Sequence, residues 1–153
     1  MRRSYTRGFT FFEILVVMGM FAIVGGFALF VSQETYRGSN FRSDRDLLVA
    51  TLQRARAQAM NNICFGTCTD GKPHGVHIES DKYIVFQGST YDSSDSNNAT
   101  FQSTITTAKT PSTLDIVFSQ LSGTTTAIAV TLVGGGHTSV ISIGSEGQIT
   151  WTN

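Results

Sequence analysis

The chain has 153 residues, of which 41% are hydrophobic, and its 11 Lys and Arg balance 11 Asp and Glu. We expect one long apolar helix and one small domain of about 100 residues, because a second globular domain would not fit in this length. The charges are unevenly distributed: residues 64–153 carry three Lys against seven acids, a net charge of −4. An acidic domain disfavours nucleic-acid binding, which depends on clustered basic side chains.

The N-terminal segment combines a basic start with a long apolar run. Residues 1–8 contain three arginines and no acid, and the run from Ile14 to Val31 consists of eighteen apolar residues or glycines. As a helix, such a run can span a bilayer. The arginines ahead of it predict an N-terminus in the cytoplasm and the rest of the chain outside. A cleaved secretory signal peptide is the alternative, but no small-x-small cleavage pattern follows the run.

A single acidic residue, Glu13, stands at the edge of this apolar run. An isolated carboxylate in lipid costs a few kcal/mol unless it finds a partner. Cleavage between Gly8 and Phe9 would create a positively charged α-amine four residues before Glu13. In a helix bundle, the amine of a neighbouring subunit would neutralise the carboxylate, and the pair would fix the axial register between subunits.

The segment RGFTFFEILVV, residues 7–17, resembles the type IV prepilin cleavage and methylation motif. The resemblance implies a leader of residues 1–8 that the prepilin peptidase removes after Gly8, N-methylation of Phe9, and a role for Glu13 in subunit alignment. It also implies other pilin or pseudopilin subunits and the inner-membrane assembly platform as partners. The precursor would be a single-pass protein of the cytoplasmic membrane, with its head outside, and the product would join an extracytoplasmic filament.

The membrane or filament-core helix is predicted at residues 9–31, and residues 32–63 are predicted to continue it. This continuation has no Pro, and Leu48, Leu52, Ala55 and Ala59 recur at helical spacing. We expect their narrow apolar stripe to pack on a sheet. The arginines of this segment are predicted to form a solvated or inter-subunit face. The polar residues assigned outside the stripe are Arg45, Asp46, Arg54, Arg56 and Gln58.

Two cysteines follow the predicted helix. Cys64 and Cys68 would lie on the exported side, where oxidation is permitted, and a disulfide between them would close a small loop. Two alternatives are free thiols and a zinc site completed by His74 and His77. The spacing is unusual for zinc, which also prefers reduced thiolates, and no metal is predicted.

From Gly75 onward the hydrophobic pattern alternates with a period of two, which predicts strands. A hairpin is predicted around Ser80 and Asp81. The segments Gly134 to Gly136 and Gly144 to Gly147 separate the last three runs, so the chain is predicted to end in an antiparallel meander. The predicted fold class is α+β, a long N-terminal helix packed on an antiparallel β-sheet head of residues 64–153. The alternating runs contain Val76 and Ile78; Tyr83 and Val85; Leu114, Ile116 and Phe118; Ile128, Val130 and Leu132; Ile141 and Ile143; Ile149 and Trp151.

This order of elements resembles the GspH/FimT branch of minor pseudopilins. The resembling segments are RAQAMNN at the helix end, the strands GVHI and IVF, and the closing SEGQI. Some members of that branch bind DNA through basic residues after the final glycine, in a Gly-Arg pattern. Here Gly147 is followed by Gln148, with no basic residue to the end of the sequence, so a nucleic-acid partner is not expected.

The stretch Gly88 to Thr100 is rich in Ser, Asn and Asp and is predicted to be an exposed loop. Calcium binding is the alternative, but the Asp-x-Asp-x-Asp-Gly order is absent. The oxygen-bearing residues considered for it are Asp92, Asp95, Asn97 and Asn98.

No catalytic pattern is present, neither Gly-x-Ser-x-Gly, nor His-Glu-x-x-His, nor a phosphate loop, so neither an enzyme nor a cofactor is predicted. The sequence favours a minor pilin or pseudopilin, a structural subunit of a type IV pilus or a type II secretion pseudopilus. The alternatives are a filament-tip binding protein for DNA uptake or adhesion, and a membrane-tethered enzyme.

Overall fold

The computed structural model describes residues 9–103 and 107–152, with the backbone alone for residues 28–37. The chain divides into two compact units, Met1–Arg37 and Gly38–Asn153. The second unit contains a helical segment and antiparallel strands. The predicted α+β class is therefore confirmed.

Helix α1 spans Phe11–Met60. Thr10 caps its start, since the Glu13 N–H lies 3.3 Å from Thr10 Oγ1 and 3.1 Å from the Thr10 carbonyl oxygen. At its end Asn62 adopts a left-handed conformation with φ 55°, and the Ile63 N–H donates to the Gln58 carbonyl at 3.0 Å. This is a Schellman cap, which ends the helix before the predicted boundary at residue 63.

In the described residues the strands form two four-stranded antiparallel sheets. Sheet 1 has the order β3-β2-β1-β5, and sheet 2 the order β4-β6-β7-β8. The sequence pattern does not indicate this division into two sheets. The strands are β1 His74–Ile78, β2 Lys82–Gln87, β3 Ala99–Gln102, β4 Ala108–Thr110, β5 Leu114–Phe118, β6 Ile128–Gly134, β7 His137–Ile143 and β8 Ile149–Thr152.

The six alternating runs predicted from the sequence all fall in strands, and β6, β7 and β8 form the predicted antiparallel meander. Strands β3 and β4 are additional. The predicted loop Gly88 to Thr100 extends two residues too far, because Ala99 and Thr100 belong to β3 and pair with Val85 and Ile84 in sheet 1.

The core of the second unit lies between the helix and both sheets. Leu48, Leu52, Ala55 and Ala59 are fully buried, so the predicted packing of the stripe is confirmed. Side chains from both sheets complete the same cluster, among them Val76, Ile78, Tyr83, Ile116, Phe118, Val130, Leu132, Ile141 and Ile143.

The prediction that the arginines form a solvated or inter-subunit face is wrong for Arg45, which is 9% exposed, and Gln58, predicted to lie outside the apolar stripe, is also buried, at 8%. Each lies three positions from a residue of the buried stripe and is therefore next to that stripe on the helix surface. Arg45 contacts Asp46 at 2.8 Å and lies 5.7 Å from the centroid of the Trp151 ring. Arg54 and Asp46 are exposed, as expected.

Replacing Leu52 by Ala is expected to lower the free energy of unfolding by about 2–5 kcal/mol, because the change leaves a cavity at a fully buried site. Urea denaturation of the detergent-solubilised chain measures this. The matched control is Gln53→Ala at the neighbouring exposed position, which should change the stability by less than about 0.5 kcal/mol. Equal effects of the two substitutions would contradict the packing described here.

Candidate functional site

The described N-terminal part of α1 exposes large apolar side chains on every side. Between Phe9 and Phe27 their exposed fractions run from 45% at Val17 to 81% at Phe11. Consecutive helical residues point about 100° apart, so this segment has no polar face. Contiguous apolar surface of this extent is rare on soluble monomeric proteins and is typical of interaction sites.

Glu13 lies in the first turn of α1 and is exposed. Its backbone N–H is held by Thr10, and the order Thr10-Phe11-Phe12-Glu13 matches the capping-box pattern. A carboxylate in the first turn is also favoured by the positive end of the helix dipole. In the structure the backbone of Glu13 thus takes part in the cap at the helix start.

The remaining residues of the predicted processing site are only partly described. Phe9 lies two residues before the start of α1 and is 80% exposed, whereas Gly8 and the rest of the predicted leader lie outside the described residues. Within the part of the chain that is described, no helix has the length and apolar character needed to cross a membrane. Residues 28–31 of the predicted apolar run have no described side chains.

Cys64 and Cys68 are joined by a disulfide, with their Cα atoms 6.1 Å apart. The loop between them is held against β2 by Gln87. The Phe65 N–H donates to Gln87 Oε1 at 2.6 Å, and Gln87 Nε2 donates to the Phe65 carbonyl at 3.2 Å. Both polar atoms of one side-chain amide therefore fix this loop.

The two histidines considered as zinc ligands have other partners. His74 Nε2 donates to the Ile63 carbonyl at 2.9 Å. His77 Nδ1 hydrogen-bonds Asp115, its Nε2 lies 3.5 Å from Glu79 Oε1, and its ring stacks on Tyr91 with centroids 4.0 Å apart. Among the described residues, no three His, Cys, Asp or Glu side chains are arranged to hold a metal ion.

The acidic residues considered for calcium instead organise their own loop. Asp92 Oδ1 accepts from the Ser94 N–H at 2.8 Å and from its hydroxyl at 2.7 Å, and Asp95 Oδ1 accepts from the Asn97 N–H at 2.9 Å. The backbone hydrogen bond from Ser94, followed by the one from its hydroxyl, lowers the pKa of Asp92. These carboxylates act as turn-forming acceptors.

A polar cluster is buried where α1 meets both sheets. The Tyr83 hydroxyl of β2 donates to Asp44 Oδ1 at 2.9 Å, and the Thr107 hydroxyl donates to Asp44 Oδ2. Lys109 of β4 places its Nζ 4.0 Å from Asp44 Oδ2 and donates to the Ser80 carbonyl at 2.6 Å. The side chains of Asp44 and Lys109 are both fully buried, so the carboxylate has two hydroxyl donors and one cation as partners.

Burial shifts the pKa of two members of this cluster. It lowers the pKa of Lys109, an effect that the nearby Asp44 carboxylate opposes. It raises the pKa of Tyr83, and there the charge of Asp44 acts in the same direction. The Lys109 ammonium also lies 4.8 Å from the centroid of the Tyr83 ring, within cation–π range.

This cluster is not among the sites predicted from the sequence, although one signal points to it. Asp44 lies three residues after Phe41 and four before Leu48, so it continues the apolar stripe at helical spacing. An acid on a buried face indicates a compensating partner. Its partners come from residues 83, 107 and 109, and nothing local in the sequence identifies them.

Comparison of the chain with protein-family models, curated proteins and solved structures found no match.

Under non-reducing denaturing conditions we expect no reactive thiol from Cys64 or Cys68, and two after reduction. Cys64→Ser combined with Cys68→Ser should lower the unfolding free energy by about 2 kcal/mol, the chain-entropy value for a loop this short. Thiol titration and urea denaturation measure the two effects. Two thiols before reduction would refute the bridge.

Tyr83→Phe removes one hydroxyl donor from the buried Asp44 carboxylate and should cost about 1–3 kcal/mol of stability at neutral pH. Above pH 10.0, the ordinary pKa of tyrosine, unfolded Tyr83 loses its proton and folded Tyr83 keeps it. Wild-type stability therefore falls there through a group that the variant lacks, and the difference shrinks by up to about 1.4 kcal/mol per pH unit. Denaturation series of both proteins test this, and a difference that stays constant across this range would contradict it.

Proposed function

We propose that this chain is a minor pilin or pseudopilin, a structural subunit of a type IV pilus or a type II secretion pseudopilus. The observation that carries the proposal is the order of residues 7–17, with Gly8, Phe9 and Glu13 in the positions of the prepilin motif, directly before an apolar helix. The exposed apolar side chains of that helix support it, because a subunit stored in a bilayer and then packed in a bundle needs such a surface.

The precursor would reside in the cytoplasmic membrane until the prepilin peptidase cuts after Gly8. The new α-amine at Phe9 would then lie within about one helical turn of Glu13. In the assembled filament the amine of a neighbouring copy would pair with the Glu13 carboxylate, which would otherwise lie among apolar side chains without a partner. The capping bond from Thr10 supports this arrangement because it fixes where the helix begins.

The second unit would be the extracytoplasmic head, and α1 the spine that carries it. The predicted disulfide is compatible with an oxidising compartment outside the cytoplasm. The functional role that we propose for the head is structural rather than catalytic. Its partners would be other pilin-like subunits and the assembly platform of the inner membrane.

Mass spectrometry of the N-terminal peptide from host membranes tests the processing step. We expect N-methylated Phe9 as the first residue, and Gly8→Val should leave the precursor uncut because a branched side chain replaces the hydrogen beside the scissile bond. An intact Met1 in the wild-type protein, or a terminus other than Phe9, would overturn the proposal.

Glu13→Gln tests the alignment step separately. Glutamine also suits the capping position, so the helix start is preserved while the charge is lost. We expect cleavage to continue and the amount of subunit in sheared surface filaments to fall at least about tenfold, equivalent to about 1.4 kcal/mol of assembly free energy. Asp70→Asn, a change of the same kind on the head surface, is the matched control and should assemble normally. Normal assembly of Glu13→Gln would refute the charge pair.

A further inference from the structure

An amine and a carboxylate from distant parts of the chain meet in the core of the second unit. The side chains of Lys109 and Asp44 are both 0% exposed, and Lys109 Nζ lies 4.0 Å from Asp44 Oδ2. Asp44 belongs to α1 and Lys109 to β4. The pair therefore brings a nucleophile and a carboxyl group into a site that solvent does not reach.

This contact would make amide formation between the two groups an intramolecular reaction. Well-oriented intramolecular reactions proceed as if the reactant were present at about 10⁵–10⁸ M. The reactive separation of about 3–3.5 Å between Nζ and the carboxyl carbon needs only a small side-chain adjustment. Condensation also replaces two buried charges by one neutral amide, and buried ions are costly to keep away from water.

Two hydroxyl groups are placed to assist such a condensation. The Tyr83 hydroxyl donates to Asp44 Oδ1 at 2.9 Å, and the Thr107 hydroxyl donates to Oδ2, the oxygen that Lys109 contacts. A donor on Oδ1 stabilises the negative charge that develops there when the carbon is attacked. A hydroxyl on Oδ2 can pass protons to that oxygen as it departs.

The surroundings of Lys109 favour attack by its amine. Burial lowers the pKa of Lys109, against the opposing charges of Asp44 and Asp81, and so favours the uncharged, nucleophilic form. Nζ donates to the Ser80 carbonyl at 2.6 Å and lies 4.8 Å from the centroid of the Tyr83 ring, so its position is fixed. An amide nitrogen keeps one hydrogen, and the bond to Ser80 can therefore persist after condensation.

We propose that Lys109 and Asp44 form an intramolecular isopeptide bond, which joins α1 covalently to β4. Nζ attacks Asp44 Cγ, and an electron pair of the carboxyl group moves onto Oδ1. Two of the three ammonium protons pass to Oδ2 by way of the Thr107 hydroxyl, the Cγ–Oδ2 bond breaks, and one water molecule leaves. The two charges cancel, so no co-reactant is needed, and the ion pair in the structure is the state before the bond.

This inference is independent of the proposed pilin-like function. Neither Lys109 nor Asp44 takes part in the proposed cleavage after Gly8 or in the proposed pairing of Glu13. A chain that carries the bond but is not processed, or the reverse, would separate the two proposals.

The mass of the detergent-solubilised full chain, measured after reduction of its disulfide, tests the bond. We expect a chain lighter by one water molecule than the mass calculated for its own N-terminus. Trypsin locates the loss. The tryptic peptide Ser43–Arg45 should stay joined to the peptide that begins at Tyr83, and cleavage after Lys109 should be lost because the acylated side chain carries no charge.

Variants with matched controls assign the groups. Lys109→Met should have the full calculated mass, whereas Lys72→Met, at an exposed position, should keep the loss of water. Thr107→Val removes the hydroxyl at Oδ2 with little change of shape and should slow the appearance of the linked form at least about tenfold in a pulse-chase experiment. Thr100→Val, at an exposed strand position, should link at the wild-type rate.

Full mass of the wild-type chain, with free Ser43–Arg45 and cleavage after Lys109, would overturn the proposal. So would a loss of water that persists in Lys109→Met, because it would then arise elsewhere, for example as a cyclic imide at Asp70-Gly71. Equal linking rates in Thr107→Val and Thr100→Val would refute the proton route. The wild-type measurement decides whether the bond exists even if a variant does not fold.

Discussion

The buried carboxylate of Asp44 is the interaction on which the arrangement of the second unit depends. A charge removed from water costs several kcal/mol unless its hydrogen bonds and its counterion are in place. Here they come from both sheets: Tyr83 lies in β2 of sheet 1, Thr107 directly precedes β4 of sheet 2, and Lys109 lies in β4. Lys109 in turn donates to the Ser80 carbonyl between β1 and β2. Hydrophobic burial along the stripe of α1 is non-directional, whereas the hydrogen bonds of the cluster are directional and link the helix to both sheets.

Helix α1 carries two different hydrophobic patterns. From Phe11 to Phe27 large apolar side chains point in all directions, whereas from Phe41 to Ala59 the buried residues keep to one side. The second pattern is satisfied within the chain by packing on the sheets. The first has no described counterpart within the first unit and would be accounted for by the proposed packing in a bilayer or against neighbouring subunits. The change of pattern along one helix therefore separates residues that the chain buries in its own core from residues that it leaves exposed.

Periodicity was sufficient to predict the elements with strong local patterns, but not the interactions that join them. The stripe from Leu48 to Ala59 and the six alternating runs lie where the sequence places them. Strand β4 has only three residues, and the buried one is Lys109, whereas a predicted strand is recognised by buried apolar residues that alternate with polar ones. The partners of Asp44 are distant in sequence: Tyr83 lies 39 positions after it and Lys109 lies 65 positions after it. No local sequence pattern predicts a pairing over such distances. At the N-terminus, the motif and the composition predict roles for Gly8, Phe9 and Glu13, and the order Thr10-x-x-Glu13 is a local signal for the cap that Thr10 forms.

The position of Trp151 has a practical consequence. It is the only tryptophan in the sequence and lies half-exposed in β8, with the Arg45 guanidinium 5.7 Å from its ring centroid. Indole emission shifts when the ring gains or loses contact with water, so this intrinsic fluorophore reports on the contact between α1 and β8. Separation of the helix from that strand can be followed in real time without attaching a label.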